Sequence, residues 1–450
     1  MGTVRQEVGL LGTVEVLHKH LTGALCESVF SAGRVTERRR LWTLQCLAEF
    51  WTAVILRAPD SLRQALEEAS KGAAGFPLVE ASPQAFFSRC KDLRWEFFRD
   101  LFEAFTARVL AKETPRFAED LREVGSRFSG IWVVDGSALD AVAHRLKVLW
   151  DERAVVLPGC MTVFYDLFHG VPRILSFHEK AMEGELVRVE ESLPQVPQGT
   201  LVVGDRAFGV ARFFQSLETH GLFGLARHAK TVQIRRLRVL SRRDQEGSVV
   251  EDSLVEAGTG ANGVSVQTLR CVLWRKDRKV LRLLTNVLDP KRLSPTEALA
   301  LYRRRWKVER MFYDLKEVLN LHRFYAANTN AVAMQIYAAA IVYVAMRTAQ
   351  GRIAKALHRL PEAISPEKLF PRVAAASHTL TAYQTAFLHT KGYNRGVRLR
   401  EPPWAKLREF LVSEKAILAE PRKPKRRKRR YCRARRMHVS LRDFTPRRRR

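Results

Sequence analysis

Three acidic residues sit where carboxylates are costly, and their settings suggest chemistry. Asp135 closes the apolar run Ile131–Val134 in "SGIWVVDGSALD", and Asp205 closes the run in "TLVVGDRAFG". Each reads as the last residue of a buried strand, the end at which α/β sheets place their active sites. Glu309 belongs to "LYRRRWKVERMFYDLKEVLNLHRF", Leu301 to Phe324, which reads as one helix. At about 100° per residue, Val308, Phe312, Leu315 and Leu319 face a core. Arg303, Lys307, Arg310, Asp314 and Glu317 gather nearly opposite and are expected to face water. Tyr302, Arg305, Glu309 and Lys316 form a third stripe beside the apolar one, where a helix lines a cleft. A carboxylate so close to a core needs a cation. A neighbouring arginine supplies one structurally: Arg206 beside Asp205, or Arg305 one turn before Glu309. As a set, hard oxygen ligands without nitrogen or sulfur suit Mg²⁺ or Mn²⁺. Two such ions activate an attacking oxygen and stabilise a leaving one in phosphodiester chemistry.

The charge balance points the same way. In 450 residues, 77 Lys and Arg face 47 Asp and Glu, a formal net charge of +30. That excess repels itself unless a polyanion is present, which makes nucleic acid the first partner to consider. The six cysteines are scattered, with no zinc-ligand spacing and no disulfide framework, and the twelve histidines do not cluster. No GxSxG elbow, HExxH or phosphate-binding P-loop occurs, so serine and zinc hydrolase readings have no motif to rest on. "GTGANG", Gly258 to Gly263, has dinucleotide-binding spacing but opens no helix, and reads as a turn. The N-terminus lacks the apolar core of a secretion signal. "AVAMQIYAAAIVYVAMRTA" reads as a buried helix, not a membrane span.

The elements that must position the acids give an α/β fold. Residues 1–125 show helical spacing and suit a DNA-binding domain, with Arg89, Lys91, Arg94 and Arg99 on one basic side. Residues 126–230 alternate strands and helices and include a hairpin around the His-Gly turn of "MTVFYDLFHGVPRILSF". Residues 231–279 read as a β-rich, basic insertion. Residues 280–350 return to the core and carry the Glu309 helix, opened by Ser294, Pro295 and Glu297. A helical region follows over 351–420. The tail, 421–450, carries sixteen basic residues against one aspartate, half of the formal charge, and is expected to order only on a phosphate backbone.

At Tyr302, Arg305, Glu309 and Lys316 the chain resembles the bacterial insertion-sequence DDE transposases of the Tyr-Arg-Glu-Lys class, whose spacing it matches without a gap. "VVDGS" around Asp135 and "GDRAF", with Asp205, Arg206 and Phe208, resemble the settings of that family's two aspartates. "LLTNVLDP" resembles the strand before its Glu helix. The resemblance spans about Gly130 to Phe324 and implies an RNase H-like core: a mixed sheet with flanking helices and a β-rich insertion. It implies that Asp135, Asp205 and Glu309 ligate two Mg²⁺ (or Mn²⁺) ions, and that Tyr302, Arg305 and Lys316 hold phosphates. The implied reaction nicks DNA at an element's ends, after which the freed 3′-hydroxyl attacks the opposite strand or a target. Arg206 is carried over as a DNA contact, and Trp274 is the candidate to stack on a flipped base. The implied partner is double-stranded DNA, bound as a homodimer, with no membrane, in the cytoplasm at the bacterial nucleoid. Two alternatives stand beside this reading: a non-catalytic DNA-binding remnant, and an RNase H-like nuclease that cuts without joining.

Overall fold

The computed structural model describes residues 12–33, 40–72, 76–113, 115–138, 160–178, 184–245, 247–258, 266–319, 321, 324–325 and 328–366. The basic tail, most of the 351–420 region and nearly all of "GTGANG" lie outside the described residues.

Nine strands form one sheet: β1 (Ile131–Ala138), β2 (Cys160–Asp166), β3 (Val171–His178), β4 (Leu201–Gly204), β5 (Phe223–Arg227), β6 (Gln233–Gln245), β7 (Ser248–Gly258), β8 (Gln267–Lys276) and β9 (Lys279–Thr285). Their order is β3-β2-β1-β4-β5-β9-β8-β7-β6. The β1/β4 and β4/β5 pairs are parallel and the others antiparallel. The central strands are apolar at successive positions because both faces are covered. Ile131, Val133, Leu201, Val203 and Leu225 face one core, shared with helices Leu44–Arg57, Glu96–Lys112 and Thr329–Ala356. Trp132, Val134, Val202 and Ala226 face the other, under helices Glu185–Ser192 and Ala211–Thr219. The result is a mixed sheet flanked by helices on both faces, as an RNase H-like core requires.

The expected hairpin is β2 and β3, turning at Gly170, whose φ of +68° suits glycine. Thr329–Ala356 is the apolar helix anticipated from composition. It is long and apolar enough to cross a bilayer, yet 89% of its most apolar window is buried within the protein. Its Tyr337 donates to Leu175 O and accepts from Phe177 N, occupying the outer edge of β3. The N-terminal helices share this same core and pack directly on the long helix.

Strands β6 to β8 extend the sheet outward through β9. A buried ion pair fastens them. Arg270 of β8 is fully buried and donates to Asp252 Oδ1 of β7 at 2.8 Å, to Val287 O at 2.8 Å and to Leu293 O. Leu293 immediately precedes Ser294, which caps helix Pro295–Arg304 in a full capping box with Glu297. Among the described residues no cysteine is in a disulfide.

Candidate active site

Strand alternation decides which way each residue of β1 points. Val133 belongs to one core and Val134 to the other, so Asp135 points toward the side of helix Trp306–Tyr313 and Gly136 toward helix Glu185–Ser192. Asp135 lies inside β1, not at its end. The parallel ladder to β4 stops at Val133, while pairing with β2 continues to Ala138. Asp205 does follow its strand. It leaves β4 directly after Gly204, and its Oδ1 accepts from Ala207 N at 2.6 Å, which tightens the turn. Arg206 is exposed beside it, and Phe208 is anchored in the core. Gly209 closes the turn against β5, where a Cβ would lie 1.9 Å from Arg227 O.

The expected single helix from Leu301 is broken twice. Arg305 N donates to Tyr302 O and Val308 N to Arg305 O, both three residues back, a tightened turn between Pro295–Arg304 and Trp306–Tyr313. A π-helical turn, Asp314–Val318, follows. Asp314, expected to face water, is buried and paired with Arg310 at 3.0 Å, and the buried Arg347 and Tyr165 lie near enough to feel its charge.

The tightened turn brings the Arg305 guanidinium between two acids. Nη2 lies 2.8 Å from Glu309 Oε1, and Nη1 lies 3.8 Å from Asp135 Oδ2. Glu309 and Asp135 are thus within one guanidinium's span. Asp205 is close enough to act on Asp135 electrostatically. Burial first, then the charges of Glu185 and Asp205, push the Asp135 carboxyl up to about 7, against the Gly136 N–H and Arg305. Tyr302 joins the group: burial raises its phenol, Arg305 and Arg227 oppose this, and Asp205 acts on it too. Lys316 sits in the π-turn, half-buried, where desolvation lowers its ammonium. Trp274 lies on β8 between Val250 and Leu281, half-buried against the core.

Arg305 therefore links Asp135 and Glu309, with Asp205 near enough to act on Asp135 and Tyr302 beside Arg305. Among the described residues no three acidic, histidine or cysteine side chains are close enough together to hold an ion as they stand. The chemistry of the donor set nevertheless fits a divalent cation. It is all oxygen, and burial and the neighbouring acids outweigh Arg305 in setting the charge around Asp135. Sequence reasoning missed Glu185. Its segment, "EGELVRVEESL", signals only a helix, and nothing in its spacing points at Asp135.

Comparison with known proteins gives the cleft a context. Residues 158–345 match the family model described as "Transposase DDE domain", a span that includes Asp205 and Glu309 and begins after Asp135. The chain is 28% identical over 197 residues to a putative transposase, y4zB, of Sinorhizobium fredii, covering 42% of this chain and 52% of that one. It is 25% identical over 162 residues to a putative transposase for insertion sequence element IS4SA of Synechocystis, covering 35% and 43%. It is 31% identical over 163 residues to a probable transposase for element IS5377 of Geobacillus stearothermophilus, covering 35% and 41%. The chain spans about half the length of the curated relatives it matches. Over residues 158–345, from β2 through the Glu309 helix, the chain is similar to a transposase DDE domain, and the relatives it resembles are named as transposases of insertion sequence elements.

Proposed function

We propose that this protein is a DNA transposase of the Tyr-Arg-Glu-Lys class that cuts and joins DNA at the ends of an insertion sequence. The observation that supports the reading is the Arg305 guanidinium within ion-pair distance of both Asp135 and Glu309, with Asp205 and Tyr302 close enough to act on them electrostatically. Asp135, Asp205 and Glu309 would hold two Mg²⁺ or Mn²⁺ ions, whose chemistry is to activate the attacking oxygen and stabilise the leaving one. The chain's own residues do the rest. Arg305 leaves the acids for the DNA phosphate, a planar donor suited to its oxygens. Tyr302 and Lys316 hold neighbouring phosphates, and Arg206 and Trp274 contact the duplex beside the cleft. Asp135 surrenders the proton that burial and its acidic neighbours favour, so its carboxylate is free to bind. DNA binding as a homodimer at the nucleoid belongs to the same reading, supported by the formal +30 charge.

The test uses duplexes carrying the ends of the element that encodes the chain, with Mg²⁺. Wild type should cut and join. Asp135→Asn, Asp205→Asn and Glu309→Gln should each lower cutting by 10³-fold or so while DNA affinity is kept. Undiminished cutting by Glu309→Gln would sink the assignment. Cutting without any joined product would favour an RNase H-like nuclease, and binding without cutting by wild type a non-catalytic remnant.

A further inference from the structure

The charged side of the helical segment carries a feature that the reading above does not use. Helical spacing assigns Arg303, Lys307 and Arg310 to open water, where a solvated stripe needs no partner. In the fold they instead line an open cavity of about 910 Å³, together with Arg304 and Trp306. Its floor is polar and buried: Tyr165 of β2, with Tyr343 and Arg347 of helix Thr329–Ala356. Arg347 is fixed there, donating from Nε to Gly170 O at 3.0 Å and from Nη1 to Gln350 Oε1 at 2.6 Å. Five cations line the cavity against three acids, and two of those acids are already taken, Asp120 by Arg304 and Asp314 by Arg310. Arg303 is exposed and in no ion pair among the described residues. The balance favours an anion.

Two observations tie the cavity to the chemistry. Trp306 is 60% exposed and lies under the Arg305 guanidinium at 4.8 Å, and Arg305 reaches Glu309 at 2.8 Å. The cavity therefore begins one side chain from Glu309. Sheet order gives the direction. Tyr165 stands on β2, which pairs with β1 and Asp135, whereas Trp274 stands on β8, beyond β4, β5 and β9 on the other side. A duplex that contacts Trp274 thus leaves the β2 side of Asp135 open to another. Arg303 to Arg310 spans about 10 Å along a helix, a length over which one DNA strand carries about three phosphates.

We propose that this cavity binds the phosphate backbone of a second DNA, the target into which a cut end is joined, on the side of the cleft away from Trp274. The proposal rests on the transposase reading for there being a joining step, and on the cavity for where the target lies.

The experiment follows the full chain with its element ends, Mg²⁺ and an unrelated duplex as target. Arg303→Gln/Lys307→Gln is compared with wild type and with the charge-keeping Arg303→Lys/Lys307→Arg, circular dichroism reporting folding. Each lost phosphate contact lowers the slope of log affinity against log salt by about 0.9. With the ends already bound, the glutamine pair should bind the unrelated duplex with a slope smaller by about 2 and join to it about 10-fold less or worse. End affinity and end cutting should stay as in wild type, and the charge-keeping pair should match wild type throughout. Joining and slope unchanged by the glutamine pair overturn the target site and leave the transposase reading standing. End affinity or cutting that falls in step with joining also overturns it, because the surface would then hold the element's own end. Wild type that neither cuts nor joins overturns the transposase reading and the target assignment with it. Should the glutamine pair fail to fold, Arg303→Gln alone decides, by a slope change of about 0.9 or none.

Discussion

Replacing Asp135 with asparagine should stabilise the metal-free fold at alkaline pH, although it removes a residue the proposed reaction requires. The carboxyl moves from its ordinary 3.8 to about 7 in the fold, through burial and the charges of Glu185 and Asp205. A shift of that size means the fold prefers the neutral form by about 4 kcal/mol more than the unfolded chain does. The sign follows from proton linkage. Below pH 3.8 both states hold the proton and the stabilising contribution is complete. As pH rises, the unfolded chain ionises first and stability falls. Above about 7 both states are ionised and the contribution is gone. Asparagine has no proton to lose, so its contribution is flat. Between pH 5.5 and 8, wild type should therefore lose about 2 kcal/mol relative to Asp135→Asn. Urea denaturation of both proteins at the two pH values, in a chelating buffer, measures this difference of differences. Equal gaps at pH 5.5 and pH 8 would refute the argument, and so would a gap that favours wild type more strongly at pH 8.

Three further perturbations probe other parts of the structure. Arg305→Met leaves Asp135 and Glu309 without their shared guanidinium and should cost about 1–3 kcal/mol in metal-free buffer. Added Mg²⁺ should then raise the variant's melting temperature more than that of wild type, and an equal rise would count against an ion at this place. Gly209→Ala sets a Cβ against the Arg227 carbonyl and should cost about 3 kcal/mol in denaturant unfolding while moving the Asp205 turn. Tyr337→Phe removes the hydroxyl that serves Leu175 O and Phe177 N at the sheet edge. The cost should be about 1–3 kcal/mol, and a neutral outcome would mean that water replaces it freely.

Much of this arrangement is readable in the chain. Apolar runs ending in acids give β1 and β4, and Ser294 with Glu297 announces a helix start that the structure realises as a capping box. The spacing of Tyr302, Arg305 and Glu309 correctly puts three groups on one side of the helical segment. What spacing does not carry is any departure from regular geometry. The tightened turn at Arg305 and the π-turn after Tyr313 depend on what packs against the helix. Asp314 is buried for the same reason: its surroundings include Arg347, thirty-odd residues later, which the helix spacing does not reveal. Glu185 is hardest to foresee. Its place beside Asp135 depends on Gly136, fifty residues earlier, being set against it by the sheet.

The Arg270 anchor makes the outer strands something other than a detachable module. One guanidinium ties β7 and β8 to the carbonyls at Val287 and Leu293, and Leu293 leads directly into the helical segment that presents Arg305 and Glu309. Strain at the outer edge of the sheet is therefore shared, through one buried guanidinium, with the segment that carries Arg305 and Glu309. The outer strands and the helical segment are joined at a buried charge, so cutting that bond loosens both at once.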